Sequence, residues 1–382
     1  MYFDLDCYWR VLRHVWSLKH WPGRSRMLGK LLVQVPLEYL FHASFFLLDY
    51  VFFPRLWRQK VERPVFIVGH ARSGSTMAHR LLSADANTFS YFLYWELFFP
   101  SLLQKKIIRA LGWLDDKILA QLLYKRLVAW DDKTYGPHRH IHDMSLWNSE
   151  EDQFVMRAAF VTQQWALEIP MMDIMDVFHV DQLPVKKRQR WLHHYRECVK
   201  RQLLLNGGEK THLSKNPAMS GWVQALIETF PDARIAVMMR DPAQCIPSVL
   251  KLVEVSWQAK GWTRQDYRQS LQMLTEISFD SFHHPQMVLQ SRPETAQVVI
   301  DYRELTGDPR TAIDKAYRAL GMSLSVEFDQ YLLAHQEQAK SHTTHFRYDI
   351  DDYEVSQERI ELELGAFYDR YDWPRSRPNG TA

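Results

Sequence analysis

The run PVFIVGHARSGSTMAHRLL at residues 64–82 constrains the fold of this chain more than any other stretch. A β-branched and aromatic segment ends at Gly69, a short loop of Gly, Ser and Arg follows, and Met77, Leu81 and Leu82 then recur at helical spacing. Strand, tight loop and helix in that order place the loop at the carboxyl end of a strand, where open α/β sheets bind their ligands. The loop is composed for an anion. Gly69 and Gly74 let backbone approach closely; Ser73, Ser75 and Thr76 offer hydroxyls; Arg72 offers a planar fork of donors. The helix behind the loop presents free N–H groups and a partial positive charge.

Similar units follow. THLSKNP at residues 211–217, with Trp222, Leu226, Ile227 and Phe230 at helical spacing behind it, reads as a second strand and helix, Pro217 suiting the first helical turn. RIAVMM at 234–239 reads as a buried strand ending at Arg240. QVVID at 297–301 reads as another, followed by a helix around residues 312–320 that Gly321 terminates in a left-handed conformation. Strands alternating with helices predict an α/β fold, a parallel sheet flanked by helices on both faces. Residues 100–200 carry helical patterning and few β runs, and are expected to be a helical insertion. The expected division is a helical extension over residues 1–60, a main domain over 61–373, in which Ile360, Leu364, Phe367 and Tyr371 keep helical spacing, and a disordered tail over 374–382.

Charge narrows the partners. With 47 basic against 45 acidic residues the net charge is +2, so no whole-molecule field points to nucleic acid and any anion site is local. Cys7, Cys198 and Cys245 lie far apart without a CxxC pair, which fits a reducing compartment, and the first ten residues lack the features of a secretory signal. A cytoplasmic protein is expected. Residues 31–57 are rich in Leu, Phe and Val, but Glu38, His42 and Asp49 interrupt them, which disfavours a spanning helix. Lys30 before them and Arg55, Arg58 and Lys60 after them leave two readings open, packing on the body of the protein or peripheral contact with a membrane interface.

The loop keeps the glycine spacing of the triphosphate-binding pattern GxxxxGK[ST], but Ser75 stands where that pattern has lysine, which disfavours metal-bound triphosphate chemistry. A P-loop phosphotransferase and a non-catalytic nucleotide-binding protein stay open as alternatives. The loop resembles the 5'-phosphosulfate loop of sulfotransferases that use 3'-phosphoadenosine 5'-phosphosulfate (PAPS), a strand followed by G-x-P-R-S-G-T-T, with Ala71 for the proline and Ser75 for the first threonine. MMRDPAQCIPS places Arg240 and Ser248 at the spacing of that family's 3'-phosphate arginine and serine. LSKNPAMSGWVQALIETFPDARIAVMMRDP is similar to the stretch that joins the catalytic lysine, here Lys215, to that arginine in tyrosylprotein and related sulfotransferases. YREL with Asp308 and Pro309 resembles the family's Y-E-x-L and D-P elements, and YWELFFP at 94–100 resembles its W-E-L-x-x-P. The matches run over roughly residues 64–325.

The resemblance implies a P-loop NTPase-like fold and transfer of a sulfuryl group from PAPS, leaving adenosine 3',5'-bisphosphate, to an acceptor hydroxyl on a small molecule, glycan or lipid. It implies no metal. Arg72, Ser73, Gly74, Ser75, Thr76, Arg240, Ser248 and Tyr302 are the expected donor-binding residues, with Lys340 in KSHTTH as a further phosphate contact. Lys215 and Glu96 are the expected catalytic pair, Glu96 as base with Trp95, Phe98 and Phe99 around it; His140, His142, Glu150, Glu151 and Asp152 compete for that role. His138, His140 and His142 would share one face of an extended segment, but no accompanying carboxylate pattern supports a metal site. The acceptor is set by no motif; the aromatic stretch 89–99 and the interfacial reading of residues 31–57 favour an apolar alcohol, phenol or lipid-linked sugar over a soluble sugar.

Overall fold

The computed structural model describes residues 1–136, 139, 144–339 and 355–375. Lys340, His138, His140, His142 and residues 376–382 of the tail lie outside the described residues. Five strands, β1 (Val65–Gly69), β2 (Phe89–Ser90), β3 (Thr211–Lys215), β4 (Arg234–Met239) and β5 (Ala296–Asp301), form one sheet in the order β2-β3-β1-β4-β5. Every pairing is parallel. All residues of β1 and β4 are buried, which is why Val65–Val68 and Ile235–Met239 read as unbroken apolar runs: helices cover each face of a parallel sheet. From β1 the chain moves to β2 on one side, and from β4 to β5 on the other. The crevice at the carboxyl ends of β1 and β4 is therefore the switch point at which such sheets bind ligands.

Gly69 closes β1 opposite Met238 with φ +120°, and a Cβ there would lie 2.4 Å from the Met238 carbonyl oxygen. Only glycine lets the chain leave the sheet at this point. The helix Ser75–Ser83 starts at once behind the loop. Further along, the helix Pro309–Ala319 is ended by Gly321 at φ +64°, as the spacing predicts. The segment between β2 and β3 is helical, with Leu102–Ile118, Leu122–Tyr135 and Val185–Leu205 as its long members.

The N-terminal helices Leu5–Ser17 and Arg24–Phe52 share their core with the sheet: Cys7, Tyr8, Val11 and Phe46 belong to one buried cluster with Phe66, Val68, Ile235 and Val237. Ile360, Leu364 and Phe367 from the C-terminal helices join it. Two of the polar residues that interrupt residues 31–57, His42 and Asp49, are used inward, while Glu38 bonds Gln34 on its own helix. His42 bonds Gln104 at 3.2 Å, and the fully buried Asp49 accepts from Arg201 Nε at 2.7 Å. Asp49 also accepts from the Ser101 hydroxyl and from the Leu102 and Leu103 amides, so it caps the helix Leu102–Ile118 across the fold. A buried carboxylate with this many donors is fully satisfied, whereas removing one partner typically costs about 3–5 kcal/mol.

Candidate functional site

Three parts of the chain meet at the crevice between β1 and β4. In the loop, Gly74 at φ +90° and Arg72 at φ +68° are both left-handed, and the Ser73 amide closes the turn on the His70 carbonyl at 3.2 Å. A Cβ on Gly74 would lie 2.5 Å from the ring of Tyr302, which follows β5 directly. The Arg240 guanidinium, at the end of β4, sits 4.3 Å over that same ring and donates to the Arg72 carbonyl at 3.0 Å. Arg72 Nε in turn donates to the Ser248 hydroxyl at 3.1 Å. Residues expected to hold the two ends of one nucleotide are thus wired together before any ligand is considered. Among the described residues neither arginine forms an ion pair: Arg240 bonds the Arg72 carbonyl and Gln244, and Arg72 bonds Ser248.

Two loop-fixing residues escaped the sequence reading. The Ser220 hydroxyl accepts from the Gly69 amide at 2.8 Å and donates to the Gly69 carbonyl at 2.9 Å, pinning the turn from both sides. His70 stacks on Phe282 at 5.3 Å, and burial pushes its imidazole down to about 4, so it is neutral and structural near pH 7. A lone hydroxyl and a loop histidine carry no spacing that marks such roles.

On the other flank of β1, Lys215 ends β3 in register with Ile67. Its side chain is fully buried, its ammonium makes no hydrogen bond, and Glu151 Oε1 and Glu150 Oε2 lie 3.5 and 3.7 Å away. Asn216 Oδ1 caps the following turn at the Ala218 amide, leaving Asn216 Nδ2 buried without a partner. The Ser73 hydroxyl is likewise buried and unbonded. His79, on the loop helix, is held well below the usual imidazole range by burial and then by the Lys215 charge, and is neutral. Buried donors without hydrogen bonds and arginines without ion pairs, among the described residues, fit a ligand with anionic groups at both ends, the donor chemistry that the resemblance implies.

The candidate bases separate by what holds them. Asp152 accepts from the Tyr195 hydroxyl and from Ser214 at 2.9 Å, and contacts His212 at 3.0 Å, which binds it to β3 as a structural group. Glu96 is 1% exposed. It caps its own short helix through the Leu93 amide at 3.0 Å, accepts from Gln202 at 2.7 Å and pairs with Arg109 at 3.0 Å. Glu150 and Glu151 are the carboxylates found at Lys215. A cavity of about 450 Å³ lined by Met1, Tyr2, Tyr50, His194 and Glu197, among others, shares no residue with this cluster.

Comparison with known proteins agrees with this arrangement. The profile described as Sulfotransferase family matches residues 64–326, which include the loop, Lys215, Arg240, Ser248 and Tyr302. The omega-hydroxy-beta-dihydromenaquinone-9 sulfotransferases Stf3 of Mycobacterium bovis and Mycobacterium tuberculosis are each 22% identical over 333 residues, 82% of this chain and 76% of theirs. Among solved structures, sulfotransferase STF9 of Mycobacterium avium superposes with a TM-score of 0.75 at 18% identity, covering 98% of this chain and 94% of its own. Sulfotransferase STF1 of Mycobacterium tuberculosis gives 0.65 at 19% identity, covering 94% and 92%. The structures establish the fold, and the profile, matching more than half of the chain across the whole crevice, establishes the rest: this chain belongs to the sulfotransferase family.

Proposed function

We propose that this sulfotransferase moves a sulfuryl group from PAPS to the hydroxyl of an apolar, lipid-like alcohol. The observation that carries the reading is that the strands on either side of β1 end in Lys215, fully buried and without a hydrogen bond among the described residues, and in Arg240, which with Arg72 makes no ion pair among the described residues. In this reading the bond from acceptor oxygen to sulfur forms while the bond from sulfur to the bridging phosphate oxygen breaks, and adenosine 3',5'-bisphosphate leaves. The loop amides, with the Ser73, Ser75 and Thr76 hydroxyls and Arg72, hold the 5'-phosphosulfate. Lys215 donates to the bridging oxygen, where negative charge grows during transfer, so its contact strengthens toward the transition state. Arg240, steadied on the Tyr302 ring, and Ser248 hold the 3'-phosphate. Lys340 is kept as a further phosphate contact.

We assign the acceptor proton to Glu151 and not to Glu96. Glu96 is tied to Arg109 and two further donors and is 1% exposed, so its carboxylate oxygens are occupied and turned away from an incoming hydroxyl. Glu151 lies 3.5 Å from the Lys215 ammonium, accepts from Gln163 at 3.0 Å and has a side chain 18% exposed, so it can meet both that ammonium and an incoming hydroxyl. The apolar acceptor is supported by two things: the Stf3 relatives are sulfotransferases of an omega-hydroxylated quinone, and aromatic side chains crowd the approach, Tyr94 lying 5.1 Å from Phe98 and 5.8 Å from Tyr135. All three cysteines are free and buried, which supports a cytoplasmic setting for the reaction. The test is incubation with radiolabelled PAPS and a pool of long-chain alcohols, phenols and soluble sugars. Label is expected in the organic phase and absent with Lys215→Ala; label entering only soluble sugars would overturn the acceptor class.

A further inference from the structure

The helix Arg24–Phe52 and the hairpin formed by Leu102–Ile118 and Leu122–Tyr135 are built inside out. A helix on a globular surface normally turns its apolar stripe inward and its polar face to water. Here the first helix turns His42 and Asp49 inward with Leu31, Val35 and Phe46, while Leu37, Leu40, Leu47 and Val51 are 60 to 70% exposed. In the hairpin the buried positions include Gln104, Lys105, Asp115 and Asp131, and the outward ones include Leu111, Trp113, Ile118, Leu123 and Trp130.

The inward acids have identified tasks. Asp49 caps the start of the hairpin, and Asp115 accepts from the Leu123 and Tyr124 amides at 3.0 and 2.8 Å to fold its turn. Asp131 accepts from Arg139 and from the Leu146 amide at 2.8 Å, tying the end of the hairpin to the segment that leads to Glu150. The two units are contiguous: His42 bonds Gln104, and the Lys106 ammonium lies 5.6 Å from the centre of the Phe53 ring. Asp49, Asp115 and Asp131 lie inside, whereas Lys105 is the one basic residue of these segments that is buried, so lysine and arginine outnumber Glu38, Asp116 and Asp132 among the outward leucines. Residues 24–60 hold six Lys and Arg against two Asp and Glu, and residues 102–135 hold seven against four, in a chain of net charge +2, so the remainder is net acidic.

We propose that these three helices form one platform that seats the protein on an anionic lipid bilayer, lying in the interface without crossing it. Exposed leucine and tryptophan among lysine and arginine is the composition of an interfacial segment, and the local surplus of positive charge complements acidic headgroups. Crossing is excluded by the Asp49–Arg201 pair and the Asp49 caps, which fasten the inner face of the first helix to the body of the protein. The platform ends where Tyr135 meets Tyr94 and Asp131 meets Leu146, so a membrane-borne acceptor would rise beside the residues leading to Glu150 and Glu151. Only this last step rests on the proposed acceptor class.

The test measures binding, not turnover. The full chain is floated with vesicles of phosphatidylcholine alone or of equimolar phosphatidylcholine and phosphatidylglycerol. Binding to the mixed vesicles is expected, and Leu111→Asp/Ile118→Asp should weaken it about tenfold or more, whereas Val326→Asp/Leu362→Asp, at exposed apolar sites outside the three helices, should not. Quenching by brominated acyl chains should fall in Trp113→Phe/Trp130→Phe. Titration with adenosine 3',5'-bisphosphate checks that each variant is folded, and its failure would count against the donor assignment alone. Equal flotation of the wild type and the Leu111/Ile118 variant overturns the proposal. So does a wild-type dimer that the same substitutions dissociate, with no vesicle binding by either form.

Discussion

Replacing Glu151 with glutamine should separate donor binding from proton transfer. Its carboxylate lies 3.5 Å from the Lys215 ammonium, and Glu150 lies at 3.7 Å. At an effective dielectric near 20 each contact amounts to roughly 4 kcal/mol of gross attraction, most of it offset by desolvation. An anionic donor must share that ammonium, so each carboxylate competes with it. Glu151→Gln removes one negative charge from the site at nearly constant volume, and the lessened repulsion should tighten adenosine 3',5'-bisphosphate by roughly 1 kcal/mol, about fivefold. Turnover should move the opposite way, falling about 100-fold to 10,000-fold with loss of the base. Calorimetric titration reads the first effect and initial rates with labelled PAPS read the second. Glu96→Gln, which disturbs a structural hub linked to Arg109 and Gln202, should lower thermal stability more than kcat per folded molecule. The reasoning is refuted if Glu151→Gln and Glu150→Gln keep kcat within about threefold of wild type while Glu96→Gln, shown folded, loses it by a general-base margin.

Other consequences follow from the same contacts. Gly74→Ala puts a Cβ 2.5 Å from the Tyr302 ring at φ +90°; a left-handed alanine and forced repacking together cost roughly 2–4 kcal/mol, and nucleotide affinity should drop because Arg240 rests on that ring. Asp49→Asn should lower stability by about 1–3 kcal/mol in chemical denaturation, since Arg201 loses one of its two carboxylate partners and keeps Glu197 at 3.1 Å, while Asp49→Asn combined with Arg201→Met should recover part of the loss. His179 is partly desolvated, which opposes its charge, but hydrogen bonds to Asp176 and Asp280 prevail and raise its pKa to about 9 from 6.5. Its contribution to stability is therefore fully present below pH 6.5 and is lost as pH rises through about 9. Melting temperature plotted against pH should be flatter over that window in His179→Gln; parallel curves for both proteins would dismiss the effect.

The crevice was legible in the sequence because its parts are local. A buried parallel strand is an apolar run, the loop behind β1 is punctuated by two glycines, and Lys215 and Arg240 sit where strands stop. What was not legible depends on contacts between distant segments. β2 is only Phe89–Ser90, too short for any periodicity, and exists because β3 offers it an edge. Asp49 reads as an interruption in an apolar segment, and its purpose appears only with Arg201 far along the chain. The sequence favours Glu96 over Glu151 as base; the partners that bear on the choice, Arg109 and Gln202 at Glu96 and Lys215 at Glu151, arrive through tertiary packing. The same holds for the hairpin at residues 102–135, whose periodicity announces helices but not which face meets the body.

Calorimetric titration reads out whether the crevice between β1 and β4 binds a 3'-phosphorylated adenine nucleotide through Arg72, Arg240 and Ser248, as proposed. Adenosine 3',5'-bisphosphate should bind without added metal, and adenosine 5'-monophosphate, lacking the 3'-phosphate, should bind at least about tenfold more weakly, as expected when a charge-assisted contact of about 1.5–3 kcal/mol is lost. Arg240→Ala should erase most of that difference. Tighter binding of magnesium ATP than of the bisphosphate, or an undiminished preference for the 3'-phosphate in Arg240→Ala, would contradict the account.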